Sequence, residues 1–270
     1  MYFSNKSLWK RLIICSITLL VYNVTFAQDE TIDEDVKVNQ QFWLDYNFTS
    51  IFNDNQNVST QVGFRRITPE IYNRFLGIST YNKKNTKKIL NLKNEEPFLK
   101  SFHLGAGLIF TQNYNDKDNI ELRLIQGVKF EIPTIKPITL YNYIRLEERF
   151  QNAFNNSGWT SAFRFRYKLS TILSWNKRYL SFAEGLYIPL QAEVFVNLKK
   201  ADRFNDLLRI SPGIGYRLEN DWRFELYVIF NRTKNITETN NKSSDFIIRL
   251  RVFKGNSKKQ ELNINEEDGF

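Results

Sequence analysis

The sequence predicts an all-β fold: a transmembrane antiparallel up-and-down β-barrel of about 10–12 strands, with 12 preferred. Three observations carry this reading. Apolar and polar side chains alternate with period two from Phe42 to Val252, so each run has one greasy and one charged face. Many runs are about 9–13 residues long, whereas an ordinary globular strand has about 5–6. The long apolar segment, Leu12 to Phe26, is about 15 residues, short of the roughly 20 that a spanning helix needs.

That segment has its own meaning. Lys6, Lys10 and Arg11 precede it and Thr25-Phe26-Ala27 closes it, the layout of a cleaved secretory signal peptide over residues 1–27. Cleavage removes three basic residues and no acid, lowering the formal charge from +9 to +6. It also removes Cys15, the single cysteine, so the mature chain has neither disulfides nor thiol chemistry. Residues 28–40 (QDETIDEDVKVNQ) read as a flexible acidic lead-in, 41–253 as the barrel and 254–270 as a polar tail.

Along the barrel, Phe42, Leu44, Tyr46, Phe48 and Phe52 oppose Trp43, Asp45, Asn47 and Thr49. Val58, Thr60, Val62 and Phe64 oppose Ser59, Gln61, Gly63 and Arg65. Residues 71–81 form a third strand of uncertain phase, because Arg74 interrupts the apolar face. Residues 82–100, rich in Lys and Asn, read as a loop. Phe102 to Phe110 and Ile120 to Phe130 follow, with Ser101, His103, Glu121, Arg123 and Lys129 on the polar faces.

Two clean runs come next. Leu140, Ile144, Leu146 and Phe150 oppose Tyr143, Arg145, Glu147 and Arg149; Phe163, Phe165, Tyr167 and Leu169 oppose Arg164, Arg166 and Lys168. Runs over 190–196, 208–218, 222–230 and 246–252 complete eleven countable strands. Bacterial single-chain barrels have even strand numbers, so the count is off by one: either 179–187 is a twelfth strand, the preferred number, or 71–81 is not a strand. A soluble β-sandwich is the alternative fold.

Three segments resemble a known family. Arg145-Leu146-Glu147-Glu148-Arg149-Phe150, Arg164-Phe165-Arg166-Tyr167 and Glu193-Val194-Phe195 are similar to the signature of domain of unknown function 2490. The similarity runs roughly from Phe42 to Phe253; Glu148 stands where that family usually has Gln, and 82–99 looks like an insertion. The resemblance implies a β-barrel in the outer membrane of Gram-negative bacteria, exported through the signal peptide. It implies no activity.

With the greasy face outward, thirteen basic residues, Arg65 to Arg251, and seven acidic ones, Asp45 to Glu225, point inward. The first expectation is a structural network of ion pairs, since buried charges persist only when paired. The alternative is a small anion-preferring pore or an anionic-ligand site. The candidate cluster is Arg145, Glu147, Arg149, Arg164, Arg166, Lys168 and Glu193. Its two charged rows are adjacent in a hairpin, where like charges are unfavourable, so Glu147 and Glu193 are expected to be buried, ionised and bonded to those arginines.

No catalytic residue, cofactor or metal is expected. His103 and Ser101 share a face, but it is the lumen face, and no carboxylate on that strand orients the imidazole. One histidine and one cysteine exclude a His/Cys zinc site. Asp116 and Asp118 read as a solvated turn rather than a Ca²⁺ site. The expected partners are outer-membrane lipids and the outer-membrane assembly machinery. Nucleic acid is not expected, despite the basic charge, and a monomer is favoured over an oligomer.

Overall fold

A computed structural model describes residues 37–68, 72–86, 98–114, 117–132, 139–154, 158–174, 185–199, 206–218, 221–234 and 242–255. The signal-peptide reading (1–27), Asp116 and nearly all of the tail lie outside these residues. The described part of the chain forms eleven strands: β1 Lys37–Asn53, β2 Gln56–Thr68, β3 Tyr72–Lys84, β4 Leu99–Asn113, β5 Asn119–Ile132, β6 Leu140–Asn152, β7 Thr160–Ser174, β8 Leu186–Lys199, β9 Asp206–Arg217, β10 Trp222–Lys234 and β11 Lys242–Lys254. They close into one barrel in which each strand pairs with its sequence neighbours and β1 pairs with β11.

Every sequential pair is antiparallel, and the closing pair β1·β11 is parallel. An odd number forces this. Up-and-down neighbours alternate in direction, so the first and eleventh strands point the same way. The twelfth strand expected from the even-number rule is therefore corrected: the closed wall has eleven strands. The strand over 71–81 is real and runs on to Lys84, so the polar stretch from residue 82 begins inside a strand. The lead-in is likewise shorter than expected, because β1 starts at Lys37. Much of the proposed 179–187 strand lies outside the described residues.

The register places every charged row on the inside. Arg145 faces Arg166 and Glu147 faces Arg164 across β6·β7; Arg123 faces Arg149 across β5·β6; Lys168 faces Glu193 across β7·β8. The result inverts a soluble protein. Fully buried side chains include Arg145, Arg149, Arg251, Lys168, Glu147 and Glu193, whereas Phe52 is 65% exposed, Leu104 60% and Val62 57%. Arg74, whose phase was uncertain, also points inward and is buried. Its strand misled because Leu76 and Ile78 face inward too, packing with Ile109 and Ile125 in a small apolar cluster inside the lumen.

Large side chains lie across the lumen wall where the next strand supplies glycine. A Cβ on Gly215 would come within 2.3 Å of the Tyr187 ring, and one on Gly213 within 2.6 Å of Tyr227. The two tyrosines thereby reach Glu225, each donating a 2.8 Å hydrogen bond to its carboxylate. Outward Gly77, by contrast, has open space at its Cβ position. Gly215→Ala should therefore cost about 1–3 kcal/mol through overpacking. Gly77→Ala should be neutral or slightly stabilising. Equilibrium unfolding of the two variants in the same detergent checks this contrast.

Candidate functional site in the barrel interior

Among the described residues, ten inward charged side chains on β5 to β9 form one connected network of ion pairs, beside which Asp45 and Arg249 pair across β1 and β11 and Glu225 pairs with Arg223 and Arg251 on β10 and β11. Glu147, on β6, has no exposed surface and sits at its centre. Arg164 from β7 grips it through Nε at 2.8 Å and Nη2 at 2.5 Å. Arg145 pairs with it from its own strand, and Arg123 and Arg166 approach to 3.7 Å. Glu193, on β8, accepts from Arg166 at 2.5 Å and Arg209 at 3.4 Å. Both carboxylates are thus buried and bonded as the hairpin argument required.

Arg149 takes a different acid. Its Nε and Nη2 reach Glu121 on β5 at 3.0 and 2.8 Å, and Gln151 donates to the same carboxylate at 2.7 Å. Asp206, at the start of β9, accepts from Arg164 at 3.0 Å and pairs with Arg209 at 3.3 Å. Asp45 on β1 pairs with Arg249 on β11 at 2.5 Å, fastening the parallel closure. The sequence pattern missed Asp206 because it starts a strand, where no alternation yet marks its face. Asp245 was missed because the recognised alternation begins one residue later, at Phe246; it accepts from Asn39 at 3.0 Å.

Aromatic rings hold the remaining faces of the guanidinium groups. Trp43 carries Arg65 at 3.9 Å, Arg209 at 5.0 Å and Arg249 at 5.6 Å. Phe195 carries Arg164, Arg166 and Arg209 at 4.9 to 5.2 Å. Such stacking attracts a cation to the ring while leaving the N–H edge free to point elsewhere. The edges converge on an internal cavity of about 40 Å³ whose lining includes nine arginines and one acid, Asp206. Of the seven candidate residues, Arg145, Arg149, Arg164 and Arg166 line it. Glu147 and Glu193 sit behind as their partners, and Lys168 does not line it. Arg65, Arg74, Arg123, Arg209 and Arg249 complete the arginine lining. Their inward phase is local, except for Arg74, but their convergence depends on strands far apart in the chain.

This arrangement can be set beside known proteins. A family model described as "Protein of unknown function (DUF2490)" matches residues 40–242. The chain belongs to the DUF2490 family. The matched span runs from Gln40 in β1 through β10 and contains every arginine of the cavity except Arg249. No curated protein and no solved structure matches this DUF2490 chain.

A second polar constellation lies at the other end of the DUF2490 barrel. Ser101 Oγ donates to His103 Nε2 at 2.8 Å, and His103 Nδ1 donates to Asn82 Oδ1. Asn82 in turn donates to Asn57 Oδ1 at 2.6 Å and, at 3.4 Å, to the Thr80 backbone carbonyl, an acceptor only, which orients its amide and hence the imidazole tautomer. Spacing within β4 could not show Asn82, which comes from the neighbouring strand, where His103 is its Cα partner. The three side chains are at most 6% exposed and tie β2, β3 and β4 together. Among the described residues no group of three His, Cys, Asp or Glu side chains is placed to hold a metal ion. Asp118 instead accepts from the Asn113 backbone N–H at 3.0 Å, closing its turn.

Proposed function

We propose that this protein is an outer-membrane β-barrel whose lumen is filled by its ion-pair network, so that it acts as a membrane-embedded binding element rather than an open pore. The observation that carries this is the inverted polarity of the wall. Arg251, Glu147, Asp45 and Glu225 have no exposed surface, while nine of the eleven strands carry exposed, outward Phe, Leu, Ile or Val side chains. A water-soluble protein keeps charged groups at its surface and rarely exposes a large contiguous apolar patch.

Strand length agrees. A 13-residue strand such as β6 is about 43 Å long. At a tilt of about 40° it rises about 33 Å, enough to cross the roughly 25 Å apolar band of such barrels. Closure leaves no unpaired strand edge in lipid. Some outward polar groups are paired with each other: Tyr167 donates to Asn142 at 2.5 Å, and Thr60 bonds Ser79 at 2.9 Å. The partners of this reading are outer-membrane lipids and the machinery that inserts barrels, and the fold needs no second copy to close.

The test has two parts. Full-length protein expressed in a Gram-negative host should fractionate with the outer membrane and migrate differently in detergent gels before and after boiling. Recovery in the soluble periplasm would overturn the membrane reading. Purified barrel in planar bilayers should be silent, because side chains fill barrels of this size. Steady ion-conducting steps would overturn the filled lumen, and anion preference among them would favour the arginine-lined pore.

A further inference from the structure

We propose that the arginine-lined cavity is a binding site for a single phosphate-type oxyanion, either free or as the phosphoryl group of a larger molecule. The charge balance around it is one-sided. Among the described residues, seven of the nine lining arginines share five acids, Asp45, Glu121, Glu147, Glu193 and Asp206, so guanidinium groups outnumber their carboxylate partners around the cavity. Like charges in a low-dielectric interior repel strongly, and a multiply charged anion offsets that repulsion.

Arg65 makes the point most directly. It forms no ion pair within 4 Å among the described residues, its buried Nε has no hydrogen-bond partner, and its position is fixed by stacking on Trp43. Arg166 also keeps a buried Nε without a partner. A guanidinium held by its face presents a planar fork of N–H donors, the geometry that grips two oxygens of a phosphate at once. Size narrows the ligand further. A single water needs about 10–15 Å³ of such space, so about 40 Å³ suits one tetrahedral oxyanion and no extended polyanion. Access is short as well. Arg74 and Arg209 lie two and three residues from the strand ends at Tyr72 and Asp206, the same rim of the barrel.

Titration calorimetry on the detergent-solubilised full chain tests this, with inorganic phosphate, glycerol 3-phosphate and chloride as probes. Saturable binding of phosphate, and not of chloride, is expected. Arg65→Gln should weaken it by about tenfold or more, because a charge-assisted bond is lost. The same variant should unfold no more easily than wild type in phosphate-free buffer, since no acid loses its partner. Equal binding of phosphate and glycerol 3-phosphate assigns the cavity to the free ion. Tighter binding of the ester assigns it to a phosphoryl group carried by a larger molecule. No binding of either, binding matched by chloride, or phosphate affinity unchanged in Arg65→Gln overturns the site. None of these readouts depends on where the barrel resides, so the membrane reading stands or falls separately.

Discussion

Glu147→Gln is expected to destabilise the barrel by about 3–5 kcal/mol. Four arginines, Arg123, Arg145, Arg164 and Arg166, reach this one carboxylate, from its own strand and from β5 and β7. Glutamine keeps the shape and removes the charge, so those guanidinium groups face one another without their shared counter-ion. The neighbouring carboxylate is the control. Glu148 projects from the outer face, where its polar contact is Gln126 at 3.4 Å. Glu148→Gln removes an acid from an apolar surface and should be neutral or stabilising. Reversible urea unfolding of the two variants from the same lipid or detergent decides the matter. A loss below about 1 kcal/mol for Glu147→Gln would mean that the network does not hold the barrel together.

Phe165→Arg should cost about 2–4 kcal/mol in a lipid-refolding titration. Phe165 lies near the middle of β7 on the outer face, flanked in register by Leu146 and Val196. On the membrane reading proposed above, an arginine there must bring its charge to mid-bilayer or bend it toward an interface. Val228→Arg, central on β10 beside Ile248, should behave alike. Arginine at outward Leu218, just beyond the end of β9, should cost about 0–1 kcal/mol, because the penalty falls toward the interface. At inward Ser170, buried between Tyr141 and Gln191, the cost should follow packing and not depth. Equal penalties at mid-strand and rim on the outer face would show that lipid does not bathe that face.

The two predictions rest on different kinds of information. Which side of β7 Phe165 occupies was legible in the sequence, because side-chain direction in a strand is a local, period-two property. The same holds for Trp43, Asp45 and Arg249, and for the inward position of Glu147 and Glu193. Where the pattern blurred, the cause was physical. Arg74 looked out of phase because Leu76 and Ile78 share its inward face, and a lumen that is partly apolar breaks the rule that the inside is polar. The partnership of Glu193 with Arg166 was also within reach, since consecutive strands of a meander are neighbours.

The sequence by itself determined strands, faces, the excess of positive charge inside and, through three short motifs, the family. The tertiary structure alone decided how far those faces curl before they meet. Closure at eleven strands follows from β1 meeting β11 in parallel, a pairing more than 200 residues apart that no local alternation encodes. Curvature then carried Arg65 on β2 and Arg164 on β7 to one cavity, and the register of β3 against β4 brought Asn82 to His103. Local sterics fix where a side chain points along its own strand; only the register and closure of the whole sheet fix which other side chains it meets.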